Sequence, residues 1–415
     1  MMKGSDVRAL CRFCAALALV ASLACAAAAQ DGDLTSSAGV FVNPPTAKRK
    51  AGGEKGSARR PLKPRRARAG ASPAAPPSNS PAARSEPTAE TLISKAEADF
   101  AAGRFVEAAA SYEQASKLNA RDAETLHALG RSYEAAGNSD RALEAYKKAL
   151  AVEPDDDDAQ LDLADLLSEK GRHAEAVEVY KQVVRKTPSN AEAQAGLGDA
   201  YHALKRYAEA AAAYKEAARL NPGDAELLQS LGYVLGREKR WPEAVSALKQ
   251  AIQLRPDFND AYVNLSWVYN NSNQFDASVA ILKQVIARRP DLPNAHFNLG
   301  FAYTRMAQTG GKKGDALKAL YAQGAEAFGV AVRLRPDWPE AHTNYGGALG
   351  GTGRFKEAIA SHLEALRLRP EYPGALFNLA VAYRKDGNKK EALNTYEKLK
   401  ALNPKLADTL YPLVK

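Results

Sequence analysis

The sequence predicts an all-α fold, a right-handed solenoid of about nine stacked helix pairs, and three observations carry that prediction. A 34-residue period begins near Ala89, and a proline closing every unit but the first, which has Ala120, recurs at Pro154, Pro188, Pro222, Pro256, Pro290, Pro336, Pro370 and Pro404. Inside each unit apolar residues recur at steps of three and four, the spacing of an amphipathic helix. Small and bulky residues then alternate in fixed columns. A repeat of this length marks a stack of like units in which each contacts only its neighbours.

The units run 89–122, 123–156, 157–190, 191–224, 225–258, 259–292, 293–338, 339–372 and 373–406, the seventh lengthened by an insertion over roughly Ala307–Lys318, expected as a glycine-bearing loop between its two helices. In the second, Leu126, Leu129, Gly130 and Tyr133 share the face of a first helix. After a turn at Gly137, Ala142, Tyr146 and Ala149 share the face of a second. Pro154 stops that helix, because proline lacks an N–H and clashes with the preceding turn. Asp122, Asp156, Asn190 and Asp224 stand just before first helices, where a short acceptor side chain caps free N–H groups and a carboxylate suits the helix dipole. Capping accounts for the run Asp155–Asp158 better than calcium does, since a calcium loop needs spaced oxygens and a glycine turn. Residues 407–415 are too few for another pair and are predicted to form a capping turn.

One column stays small, from Ala96, Gly130, Ala164 and Gly198 through to Gly346 and Ala380; a second runs from Ala108 and Ala142 to Ala392. Beside them lies a bulky column: Tyr112, Tyr146, Tyr180, Tyr214, Leu248, Leu282, Phe328, His362 and Tyr396. Small side chains let two helices cross closely, and larger ones would overpack the crossing.

This constellation resembles the tetratricopeptide repeat, which places Leu-Gly, Tyr, Ala, an aromatic, Ala and Pro at these offsets. The resemblance covers roughly residues 89–406. The first unit fits least well, with Lys95 and Asp99 where the family places apolar residues. The resemblance implies a non-catalytic protein–protein interaction scaffold, which holds an extended peptide or a partner protein in a concave groove lined by its first helices.

Units six to nine change character. The residue before the first helix becomes apolar (Phe258, Leu292, Trp338, Tyr372), and Pro293, Pro339 and Pro373 open three of those helices, where a missing N–H costs nothing. The sixth position becomes asparagine: Asn264, Asn298, Asn344 and Asn378. Positions two, five, six, nine, twelve and thirteen are expected opposite the packing columns. In units six to nine this face collects Trp267, Phe297, Phe301, Phe377, Arg305, Arg384 and Lys385 with the asparagines. In units two to four it carries Glu124, Glu134, Asp158, Asp165, Glu169, Glu192 and Asp199. The expected peptide site is therefore the asparagine column with its aromatic anchors, the three cations favouring an acidic ligand. An alternative gives the asparagines a structural role, bonding to local backbone. These units also resemble the repeat arm of O-linked N-acetylglucosamine transferases, which implies as an alternative a targeting or regulatory arm of a glycosyltransferase complex. A third reading is an envelope or pilus assembly factor, which some bacterial exported repeat proteins resemble.

The net charge of +9 is unevenly spread: residues 1–87 hold fourteen Lys and Arg against five Asp and Glu, and the remainder holds 43 of each. Residues 30–87 are rich in proline, alanine and basic side chains, as in Arg59-Arg60 and Arg65-Arg66-Ala67-Arg68. Such a composition predicts a disordered linker with a weak attraction to anionic surfaces. No aromatic residues interleave with the cations to stack on bases, so specific nucleic-acid binding is not expected. Residues 1–29 carry Lys3, Arg8 and Arg12, an apolar run from Phe13, and Ala27-Ala28-Ala29 before Gln30, the order of a cleaved secretory signal. The run is too short for a comfortable span, so no transmembrane helix is expected in the mature chain. The protein is expected to be exported, periplasmic or extracellular. A lipoprotein signal on Ser22-Leu23-Ala24-Cys25 is the alternative. All three cysteines, Cys11, Cys14 and Cys25, lie in this segment.

No catalytic constellation appears. The six histidines form no pair around a glutamate, and His296 and His342 occupy a packing position. Gly310-Gly311-Lys312-Lys313-Gly314 lacks the Ser or Thr and the preceding strand of a phosphate loop. The expectation is no enzyme, no cofactor and no metal.

Overall fold

A computed structural model describes residues 87–415. The signal expected over 1–29 and, but for Pro87, the linker expected over 30–87 lie outside the described residues. The described residues form nineteen α-helices and no strand, in two compact units that divide along the chain between Gly223 and Asp224.

The unit ending at Gly223 holds repeats one to four. They are α1 (Ala89–Ala101) with α2 (Phe105–Leu118), α3 (Ala123–Ala135) with α4 (Ser139–Val152), α5 (Asp157–Glu169) with α6 (His173–Lys186), and α7 (Ala191–Ala203) with α8 (Tyr207–Leu220). The unit from Asp224 holds repeats five to nine: α9 (Ala225–Arg237) and α10 (Trp241–Leu254), α11 (Asn259–Asn271) and α12 (Phe275–Arg288), α13 (Pro293–Thr309) and α14 (Gly314–Leu334), α15 (Pro339–Thr352) and α16 (Phe355–Leu368), α17 (Pro373–Lys385) and α18 (Lys389–Leu402). A last helix, α19 (Pro404–Val414), follows. Within each unit every helix packs on the next, so first and second helices alternate as the 34-residue period predicts.

The helix starts follow the caps read from the sequence. Asp122 accepts from the Thr125 amide, Asp156 from Asp158 and Ala159, Asn190 from Ala193 and Asp224 from Glu226 and Leu227. At Phe258, Leu292, Trp338 and Tyr372 no side chain caps the helix. At three of these corners a preceding arginine lies over the ring instead: Arg255 is 4.5 Å from the Phe258 centroid, Arg335 3.4 Å from Trp338 and Arg369 4.9 Å from Tyr372. The later repeats thus exchange a polar cap for a cation–π contact at the same corner.

Ala96, Ala108, Ala142 and Ala164 have no exposed surface, and Tyr112, Tyr146 and Tyr214 are as deeply buried. A Cβ added at Gly198 would lie 2.6 Å from the Tyr214 ring, and one at Gly300 2.8 Å from Phe328. Glycine is required there by close approach rather than by backbone freedom. Asp99, anomalous in sequence, is buried because Arg104 donates Nε and Nη2 to its Oδ1 at 2.9 and 2.6 Å.

Two expectations are corrected. The insertion in repeat seven is mostly helix: α13 has 17 residues and α14 has 21, against 13 and 14 for α11 and α12. Only residues 310–313 join them. Helix-forming Ala316, Leu317, Ala319 and Leu320 favour this outcome, and Tyr321 of the added turns packs where Gly351 of α15 leaves room. The C-terminal tail is likewise a full helix. Pro404, which closes the last repeat, is also the first residue of α19. Leu406, Ala407, Leu410 and Val414 bury against α17 and α18, covering apolar surface that the last repeat would otherwise expose.

Candidate peptide-binding face

The structure separates the residues expected to line the binding face. Phe297, Phe301 and Phe377 are core residues, not ligand anchors. Phe297 stacks on Trp338 with centroids 4.5 Å apart and meets Phe328 edge-on at 5.3 Å. Phe301 joins the same buried cluster, and Phe377 is buried with Tyr396, Leu399 and Leu410. Position five lies close enough to the bulky column for a phenylalanine to pack beneath it.

Asn264 and Asn298 also have no exposed surface. Asn298 donates through Nδ2 to Ser266 Oγ at 3.1 Å and to the Val263 carbonyl at 3.4 Å, both in the preceding repeat. Asn270 donates back to the Asn298 carbonyl at 3.1 Å. These bonds join successive repeats, so part of the asparagine column works as a seam. Asn344 bonds to the Glu340 carbonyl of its own helix at 2.8 Å and, like Asn378, is half-buried. Trp267 is half-buried beside Trp241, with centroids 5.9 Å apart. Arg305 is half-buried and donates to Gln308 at 3.1 Å, while Arg384 and Lys385 are exposed in the last turn of α17. The accessible members of the expected site are therefore Trp267, Arg305, Asn344, Asn378, Arg384 and Lys385.

In repeats two to four the carboxylates of this face have partners that sequence reasoning missed. The buried Tyr146 hydroxyl donates to Glu134 at 2.7 Å, Tyr214 to Asp199 at 2.6 Å, and Tyr180 to Asp165. Burial, reinforced by the negative charge of Asp165 and then Asp199, pushes the Tyr180 hydroxyl well above its ordinary pKa, so it remains a donor at neutral pH. A signal was present in the chain. Among repeats two to seven, those with tyrosine in the bulky column have an acid at position nine or twelve. Those with Leu248, Leu282 or Phe328 have Tyr233 and Gly236, Trp267 and Asn270, or Phe301 and Thr304 there. Within these six repeats a hydroxyl and its acceptor appear together or not at all, as a buried polar group requires; repeat nine, with Tyr396, Val381 and Arg384, has the hydroxyl without the acid. Across another seam His127 Nε2 lies 2.8 Å from Asp162 Oδ2, with Arg131 Nε 3.8 Å from the same oxygen.

The histidines read as packing residues have a specific task. His296 and His342 each place Nε2 2.9 Å from the carbonyl of the proline closing the preceding repeat, Pro290 and Pro336. Gln160 and Gln194 make the same tie to Pro154 and Pro188 at 2.7 and 3.4 Å. Among the described residues no group of three or more His, Cys, Asp or Glu is placed to hold a metal.

The charge divides where the two units divide. Residues 87–223 hold 24 acidic against 17 basic side chains, and residues 224–415 hold 26 basic against 19 acidic.

Family models for the tetratricopeptide repeat match residues 89–114 and 123–147, residues 351–387, and residues 373–406. The chain is a tetratricopeptide repeat protein. A model of the C-terminal domain of cilia and flagella-associated protein 70 also matches residues 136–333 of this repeat array. No curated protein matches the chain. Among solved structures, the Cut9-Hcn1 hetero-tetramer of the APC/C is 16% identical, over 74% of this chain and 59% of the other, with a TM-score of 0.47. YrrB, titled a TPR protein with an unusual peptide-binding site, is 24% identical over 48% of this chain and 96% of its own, with a TM-score of 0.40. TTC0263, a thermophilic TPR protein of Thermus thermophilus, is 23% identical over 46% of this chain and 97% of its own, with a TM-score of 0.38.

Proposed function

We propose that this tetratricopeptide repeat protein is an exported, non-catalytic scaffold whose first helices in repeats six to nine hold an extended acidic peptide or partner segment. The observation that carries the reading is that Trp267, Arg305, Asn344, Asn378, Arg384 and Lys385, at binding-face positions of successive first helices, are accessible in a unit with an excess of basic side chains. A carboxamide offers donors and an acceptor to any peptide main chain. The indole supplies an apolar anchor, and a guanidinium pairs with carboxylates through two parallel hydrogen bonds.

The test compares the full chain with a Trp267→Ala, Asn344→Ala, Asn378→Ala, Arg384→Ala variant, against an acidic peptide selected from a random library on the wild type. Helicity and melting should stay near normal, while each truncated side chain that grips the peptide weakens affinity by about 1–3 kcal/mol. Unchanged affinity would move the site elsewhere. Export rests on the charged, apolar and small-residue order of Lys3–Ala29. No helix of the described residues is long and apolar enough to cross a membrane. N-terminal sequencing of the native protein should begin at or near Gln30, and an intact Met1 would oppose export.

A further inference from the structure

We propose that the basic segment Lys48–Arg84 of this same chain docks on the first-helix face of repeats two to four and occludes it. The proposal rests on the reading of the first helices as a binding face and extends it to the acidic unit.

Charge complementarity names the occupant. The described residues of the acidic unit carry an excess of seven carboxylates, and residues 30–86, joined directly to it, hold eleven basic against four acidic side chains. Six of those cations fall within ten residues, Arg59–Arg68. On the receiving face Glu124, Glu169 and Glu192 are exposed and Asp158 is half-buried. Between them Asp165 and Asp199 are fixed in place by the Tyr180 and Tyr214 hydroxyls. Carboxylates held by rigid helices need little ordering when a cationic segment arrives, which lowers the cost of docking. The unit from Asp224 carries the same net sign of charge as the segment, which disfavours docking there.

The reach is sufficient. Arg68 precedes Ala89, the first residue of α1, by 21 residues, a stretch that spans at most about 70 Å. Packed helices lie about 8–10 Å apart, so the first helix of repeat four is within about 60 Å of that of repeat one. A tethered segment experiences an effective concentration on the order of millimolar, enough for weak ion pairs to keep the face occupied. A free basic peptide must then displace the segment before it binds.

The experiment adds a labelled peptide of residues 59–68 to the full chain and to a full-length variant with Arg59, Arg60, Lys63, Arg65, Arg66 and Arg68 all changed to Gln. The peptide should bind the variant about ten-fold more tightly than the wild type, because its own competitor has been removed. High salt should erase that binding, and so should adding Glu124→Gln, Glu169→Gln and Glu192→Gln. Equal binding to both forms would show an open face and overturn the proposal, as would binding to neither. Carbodiimide cross-linking of mixed light and heavy chains separates the occupants. Links from Lys63 to α3, α5 or α7 within one chain support it, whereas links only between light and heavy chains would assign the face to a second copy. The acidic library peptide, bound equally by both forms, keeps the site in repeats six to nine a separate question.

Discussion

Replacing Phe328 by alanine is expected to lower the stability of the unit from Asp224 by about 3–5 kcal/mol, the usual cost of removing a fully buried aromatic ring. Phe328 has no exposed surface, packs edge-on against Phe297, and fills the space left by Gly300. No neighbour can move into the vacancy without leaving its own contacts, since α13 and α15 are held on either side of α14. In a repeat array stability is a sum of local terms. Urea denaturation should therefore show the loss, and hydrogen exchange should place it in α13 to α15 while α1 to α8 keep wild-type protection. A loss spread evenly over both units would mean that the array unfolds as one block.

A second large effect is expected with pH. His362 replaces the aromatic of the bulky column, is 1% exposed, and burial pushes its pKa down to about 3. In the unfolded chain a histidine takes up a proton near pH 6.5. Between about pH 3 and 6.5 the unfolded state therefore binds more protons, and stability rises with pH across that window. The contribution is fully present above pH 6.5 and is lost as the pH falls, at about 1.4 kcal/mol per unit. His296, whose pKa burial also lowers, adds a slope of the same sign. Comparison with His362→Phe isolates the first term. From pH 6.5 to 5 the wild type should lose about 2 kcal/mol more than the variant in urea melts. Parallel losses would show that His362 is accessible to protons in the folded state.

Much of this fold is legible because its packing is periodic. A glycine or alanine at one column and a large ring at the next can be read without coordinates, and Gly198 beside Tyr214 is the physical reason. The caps at Asp122 and Asp156 are local chemistry and equally readable. The binding face is harder. Within each unit a first helix that follows another repeat packs on its own second helix and on the second helix of that preceding repeat, so its buried arc is wider than one stripe. Phe297 and Phe301 fall inside that arc, and a helical wheel drawn for one packed face places them outside it. The asparagines mislead for a related reason: the same carboxamide can bind a peptide or, as at Asn298, bond across to Ser266. The insertion in repeat seven looked like a loop because of its glycines, yet Ala316–Ala322 extend the helix that follows them.

On the proposed function, ligands meet the first helices of repeats six to nine. Hydrogen–deuterium exchange of the full chain, with and without the selected acidic peptide, tests it most directly. Protection should rise at Trp267 in α11, at Asn344 in α15 and through the last turn of α17 around Arg384, while the second helices α12, α14 and α16 exchange as before. Protection gained on the second helices alone would contradict the account and place the binding surface on the opposite side of the array.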